Sequence, residues 1–168
     1  KTLHPKIRQE VLELYKKANN LELGKGVRLR LSYTFRTHEE QDALFAQGRT
    51  KPGKKVTNAK GGQSIHNYGL AFDIVLMYDK DGDGKFEEAS WDTKRDGDKD
   101  GIADWLEVTK VFTSAGYTNG FITNGKKWDF PHFQRDFGLS WQKMKAKIDK
   151  GDFTSETING YTYKYINL

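Results

Sequence analysis

An α+β fold, with a small antiparallel sheet and helices packed on one side, is predicted by two periodicities that follow one another in this 168-residue chain. Residues 5–23 place Ile7, Val11, Leu14, Tyr15 and Ala18 at helical spacing with charges between them, the mark of a helix buried on one face. Residues 27–35 then alternate strictly, Val27, Leu29, Leu31, Tyr33 and Phe35 against Arg28, Arg30, Ser32 and Thr34, as a half-buried strand does. The length fits a single domain over 1–168, with an acidic insert at 79–107 and a terminal hairpin at 154–168.

The remaining elements follow in order. Thr37 with Glu40 three residues on forms a capping-box pattern, so a helix should run to about residue 47 and stop at Gly48, leaving Arg36 at a strand-to-helix junction. Residues 49–63, rich in Lys, Gly and Asn, read as a mobile loop of the kind that leads into a site. Residues 71–78 form a short apolar run that reads as a buried strand, with Asp73 inside it. A helix at 104–115, short strands at 121–123 and 131–133, and a helix at 140–150 come next. Asn159-Gly160 between Thr157-Ile158 and Tyr161-Thr162-Tyr163 is a hairpin turn. No repeat of solenoid length is present.

Composition narrows the chemistry. With no cysteine, disulfides and thiolate ligands are excluded, and His, Asp and Glu are the strong metal ligands that remain. Charged residues at 30% come with 13% aromatic residues, so the polarity is not that of a disordered chain. No run approaches the ~20 apolar residues of a membrane span and no apolar signal segment opens the sequence, so a soluble monomer is expected. Residues 79–107 carry eleven acids and five bases, a net −6, which leaves +11 elsewhere. A basic body suits a polyanionic partner, but dispersed bases and the lack of a recognition motif argue against nucleic acid.

The segment Ser64-Ile65-His66-Asn67-Tyr68-Gly69-Leu70-Ala71-Phe72-Asp73 puts a His just before a glycine-permitted turn and an Asp one strand position deeper. Asp129-Phe130-Pro131-His132 supplies a second His with a carboxylate three residues ahead. Two His and one Asp form a three-ligand set that leaves the fourth tetrahedral position of zinc open to water, as catalytic sites require.

This pattern, S-x-H-x-x-G-x-A-x-D followed by D-x-x-H, resembles the zinc peptidases that include D-alanyl-D-alanine carboxypeptidases, vancomycin-resistance dipeptidases and phage L-alanyl-D-glutamate endolysins. Phe35-Arg36-Thr37, Glu40-Gln41 and Gln47-Gly48-Arg49-Thr50 are similar to the endolysin branch, so the resemblance covers 27–73 and 128–134 but neither the insert nor the hairpin. It implies a hedgehog- or DD-peptidase-like sheet carrying Zn2+ on His66, Asp73 and His132. Asp129 would be the general base and Arg36 the cation that steadies substrate or oxyanion, with Ser64 and Trp128 contacting substrate. Asp129 also reads as a partner of a ligand His, and Arg36 as a partner for an acid on the neighbouring helix.

The implied reaction is hydrolysis of bacterial peptidoglycan, in the cell wall outside the cell or in the periplasm, by a secreted enzyme or one released at phage lysis. An Asp at the base position, where the dipeptidase branch has Glu, favours cleavage between L-Ala and D-Glu over removal of terminal D-Ala. The competing class is a non-catalytic, calcium-dependent wall-binding module, since hedgehog-type relatives share the architecture. The terminal hairpin either binds wall polymer or completes the sheet.

The insert carries its own pattern. Asp96, Asp98, Asp100, Asp104 and Glu107 fill positions one, three, five, nine and twelve of the calcium-loop template, with Gly101 at six and the Ile102 carbonyl at seven. Position eight is Ala103, where a larger apolar residue is usual. Asp79, Asp81, Asp83 and Lys85 begin the same template, but position twelve is Ser90, leaving Glu87 or Glu88 to substitute. The plain alternative for both is a solvated acidic turn. Ca2+ here is expected to neutralise the insert and order the strand that carries Asp73.

Overall fold

Strand β1 (Val27–Tyr33) pairs antiparallel with β2 (Ala71–Tyr78), Val27 opposite Tyr78 and Leu29 opposite Leu76. A computed structural model describes residues 1–123 and 126–168, those at 121–123 and 126–128 by their backbone path alone. The helices are α1 (Pro5–Lys17), α2 (His38–Ala46), α3 (Asp104–Ser114) and α4 (Trp141–Asp149). The remaining strands are β3 (Glu88–Ser90), β4 (Thr118–Thr123), β5 (Lys126–Gln134), β6 (Phe153–Ile158) and β7 (Tyr161–Ile166).

The chain gathers into two compact units, one of residues 9–33 and 73–135 and one of residues 1–8, 34–72 and 136–168. The first holds a five-stranded sheet in the order β1-β2-β5-β4, with β3 also paired to β2. Val27, Leu29, Ile74, Leu76, Val108, Phe112 and Phe133 are among its fully buried apolar side chains, and the rings of Phe112 and Phe133 meet at 5.1 Å. The alternation read in the sequence holds for Val27 and Leu29 but fails beyond them. The β1 register shifts between Leu31 and Tyr33, the strand ends at Tyr33 rather than residue 35, and Tyr33 is exposed. A bulge of this kind bends a strand and releases it from the alternating pattern.

The first helix also differs from its periodicity. Its α-helical part ends at Lys17, and Ala18–Glu22 continue as a π-helical turn. The cause is Asn19, whose buried amide accepts from the Leu29 N–H at 2.8 Å and donates to the Leu29 carbonyl at 3.3 Å and the Tyr15 carbonyl at 3.2 Å. Insertions of this kind into the helical ladder open single π turns.

The second unit is built on the terminal hairpin, which forms its own two-stranded sheet of β6 and β7. Phe35 packs edge-on against Tyr163 with centroids 4.9 Å apart, and Arg8 makes a two-pronged pair with Glu156 at 3.1 and 2.6 Å. The buried His4 ring meets the Ile166 carbonyl through Nε2 at 2.9 Å. Helix α2 is capped as its sequence predicts, Thr37 accepting from the Glu40 N–H and Glu40 from the Thr37 N–H. The loop at 49–63 is tied down along its length. Arg49 donates to the carbonyls of Phe45 and Thr57 at 2.7 and 3.0 Å, and the Gly61 N–H donates to Asp42 at 2.8 Å.

Replacing Asn19 by Leu leaves both backbone groups of Leu29 without this partner. The expected cost is about 2–3 kcal/mol of unfolding free energy, measured by urea denaturation with an unchanged m-value.

Candidate metal and active site

His66 sits on a single turn of 3-10 helix, Ile65–Tyr68, whose ends its neighbours fix. Ser64 caps the start through its hydroxyl, which accepts from the His66 N–H at 3.4 Å. The Asn67 side chain accepts from the N–H groups of Gly62 and Ser64 and donates to the carbonyls of Arg36 and Thr37. Gly69 ends the turn at φ +68°, where a Cβ would lie 2.8 Å from the His4 nitrogen. Only glycine fits that approach in the left-handed region.

The His66 ring is 2% exposed, and its Nδ1 lies 2.7 Å from the Thr34 carbonyl oxygen. A carbonyl accepts but never donates, so Nδ1 carries the hydrogen and Nε2 is the lone-pair nitrogen. His132, on β5, is 4% exposed and has the opposite arrangement. Its Nε2 meets Gln134 Oε1 at 2.9 Å, while its Nδ1 stands 3.1 Å from Asp73 Oδ1. Asp73 is the third residue of β2, opposite Tyr33 in β1. Asp73 and His132 are thus neighbours in the first unit, and His66 stands in the second.

These donors fit zinc by type and by spacing. Two imidazoles and one carboxylate are a zinc set, and ligands about 2.0 Å from a tetrahedral ion stand about 3.3 Å apart, close to the His132–Asp73 separation. The Thr34 carbonyl takes up His66 Nδ1, while His132 meets an oxygen at each nitrogen, Gln134 Oε1 at Nε2 and Asp73 Oδ1 at Nδ1; a polar oxygen behind the ring is the usual support for a ligating histidine.

Asp129 is exposed and has φ +57° within a strand. Asn119 pairs with Phe133 and Phe121 with Trp128, so two steps along β4 face five along β5. The segment from Asp129 to His132 therefore bulges out of the ladder. Asn119 holds it, its Nδ2 donating to the Phe130 carbonyl at 2.7 Å and the His132 carbonyl at 3.1 Å. Non-glycine residues at positive φ are uncommon and cluster where surrounding structure enforces them.

Arg36 donates its backbone N–H to the His66 carbonyl at 3.1 Å, and its guanidinium donates to Gln41 Oε1 at 2.9 Å. Gln41 is fully buried and is held in turn by the Ala59 carbonyl at 2.8 Å and the Thr57 hydroxyl at 3.3 Å. The side chain of Trp128 lies outside the described residues.

Comparison with known proteins gives the family. The family model for VanY, D-alanyl-D-alanine carboxypeptidase, matches residues 1–121. The chain belongs to the VanY family. It is also 41% identical over 132 residues, 79% of its own length and 72% of the relative's, to the peptidoglycan L-alanyl-D-glutamate endopeptidase CwlK of Bacillus subtilis (strain 168). The VanY match includes Arg36, Ser64, His66 and Asp73 and ends before Asp129 and His132.

The motif residues stand out in this VanY-family sequence, but their supports do not. Thr34 acts through a backbone carbonyl, which no side chain announces, and Asn119 and Gln134 lie outside the motif's signature positions. In the insert, Asp79, Asp83 and Glu87 form one acidic group, without Asp81. Asp81 accepts from the Asp83 N–H, Lys85 pairs with Asp83, and Glu88 pairs with Arg95 at 2.7 Å. The acids at 96–107 form separate groups, and none is shared with the first loop.

Asn119→Ala is expected to lower unfolding free energy by about 1–3 kcal/mol, since two carbonyls lose their donor. The bulge should loosen with it, seen as broadened His132 ring resonances in NMR spectra.

Proposed function

We propose that this chain is a zinc metallopeptidase that hydrolyses peptidoglycan stem peptides between L-Ala and D-Glu. The observation that carries the reading is the meeting of His132 and Asp73 at 3.1 Å in a VanY-family chain that also has the His66 motif and is 41% identical to an endopeptidase of that specificity. His66 would hold the metal through Nε2, His132 through Nδ1 and Asp73 through a carboxylate oxygen.

Zinc bound there supplies a water of pKa about 7 and polarises the scissile carbonyl. Asp129, carried forward on its bulge, takes the proton of the attacking water and returns it to the leaving amine. Arg36, fixed by Gln41 beside His66, stabilises the negative charge that develops on the carbonyl oxygen. Ser64 shapes the site through the turn it caps, in addition to any contact with substrate. The chain works in the cell wall as a monomer, and its basic body, +11 outside the insert, suits anionic wall polymer.

Removal of terminal D-Ala is the second reading, favoured by the printed description of the matching family. Purified sacculi digested with the protein should yield new L-Ala carboxyl and D-Glu amino termini by mass analysis. Release of free D-Ala without those termini establishes the carboxypeptidase instead.

Asp129→Asn is expected to reduce kcat by roughly 10²–10⁴-fold while zinc content stays at the parent level. Parental hydrolysis by that variant removes Asp129 from the chemistry. Loss of zinc along with activity makes it a support for the ligands, and a zinc-loaded parent that cuts nothing points to the wall-binding module.

A further inference from the structure

The acids at 96–107 form two overlapping groups, Asp96 with Asp98 and Asp104, and Asp98 with Asp100 and Glu107. In each group one carboxylate oxygen per residue lies within 4.8 Å of the others. Convergence alone proves little, since acidic turns in water do the same. Two of these acids, however, are out of water. Asp104 is 0% exposed and Glu107 6% exposed, both in the first turn of α3.

Their hydrogen bonds are incomplete. Asp104 Oδ2 accepts from the Tyr78 hydroxyl at 2.8 Å and the Gly97 N–H at 2.9 Å. Asp104 Oδ1 and Glu107 Oε2 are buried with no hydrogen-bond partner among the described residues. Buried carboxylate oxygens without donors are costly, and a native structure that retains them calls for something outside the chain. The nearby cation Arg95 is already engaged, paired with Glu88 at 2.7 Å and stacked 3.6 Å over the Tyr78 ring.

The rest of the loop is bent toward the same point. Asp96 accepts from the Gly101 N–H at 2.9 Å and Asp100 from the Ile102 N–H at 2.7 Å, with Gly101 at φ +95°. Oxygen donors in this number favour calcium over magnesium, which demands a tighter octahedron and keeps several waters.

We propose that loop 96–107 is a calcium site, ligated by Asp96, Asp98, Asp100, Asp104 and Glu107, whose cation completes the two buried oxygens at the start of α3. Asp98 also accepts from the Gly24 N–H at 2.6 Å, and Asp104 holds Tyr78, so the ion ties α3 to the approach of β1 and the end of β2. Its role is to lock those elements together. The first loop has no buried oxygen of this kind. Asp79 accepts from the N–H groups of Gly82 and Gly84, and Glu87 from that of Lys80.

The test is thermal melting of the whole protein, supplied with zinc and dialysed free of calcium, against added calcium chloride. Calcium at 100 times its Kd should raise Tm by roughly 5–10 °C. Glu107→Gln removes a buried charge but keeps its shape. Without calcium it should melt at or above the parent, and its half-response should need about tenfold more calcium or beyond. Asp81→Asn in the first loop should respond as the parent does. A parent Tm unmoved by millimolar calcium overturns the proposal, as does a Glu107→Gln response equal to the parent's or an Asp81→Asn variant that has lost it. The readout is melting, so none of these outcomes bears on hydrolysis.

Discussion

The Thr34 carbonyl oxygen can only accept a hydrogen bond, and the donor geometry around His66 follows from that constraint. It lies 2.7 Å from Nδ1 and thereby assigns the proton, the tautomer and the ring's orientation together. The single helical turn 65–68 exists to bring the ring to that carbonyl. Ser64 and Asn67 close its start, and Gly69 allows the chain to turn sharply away afterwards. In the other imidazole the Gln134 amide oxygen does the same work with the nitrogens exchanged.

What the sequence reveals is what local chemistry enforces. The Thr37–Glu40 cap, the Asn159-Gly160 hairpin turn, strand β2 and helices α3 and α4 all lie within a residue or two of where their patterns place them. The misses are elements set by distant partners. β1 ends early because of a bulge against β2, and α1 ends early because Asn19 reaches Leu29. β3 is a three-residue strand in an acidic stretch without alternation, and only its pairing with Leu76, Met77 and Tyr78 makes it a strand. β4 and β5 run past the short apolar segments that mark them, through Asn119 and Gly120 on one side and Lys126 and Lys127 on the other. The hairpin pairs with itself instead of extending the five-stranded sheet.

The same division holds at the site. His66, Asp73 and His132 are legible because metal chemistry admits few residue types and the motif fixes their spacing. The groups that hold the two imidazoles are a backbone carbonyl at His66, the Gln134 amide at His132 and an asparagine across a bulge. Asp129 shows how far such aiming goes. Its left-handed backbone breaks the ladder for several residues, and one Asn119 amide restores hydrogen bonds to two of the displaced carbonyls. A residue in the left-handed region cannot also keep its place in a regular ladder.

Strand β1 lies at the rim of the five-stranded sheet, where unpaired N–H and C=O groups ordinarily invite another chain to add itself. Asn19 occupies both outward groups of Leu29 with one side-chain amide, imitating a rung of a strand that is not there. The sheet is thereby closed to a newcomer at its most apolar rung. That edge is kept from becoming a template for fibrils.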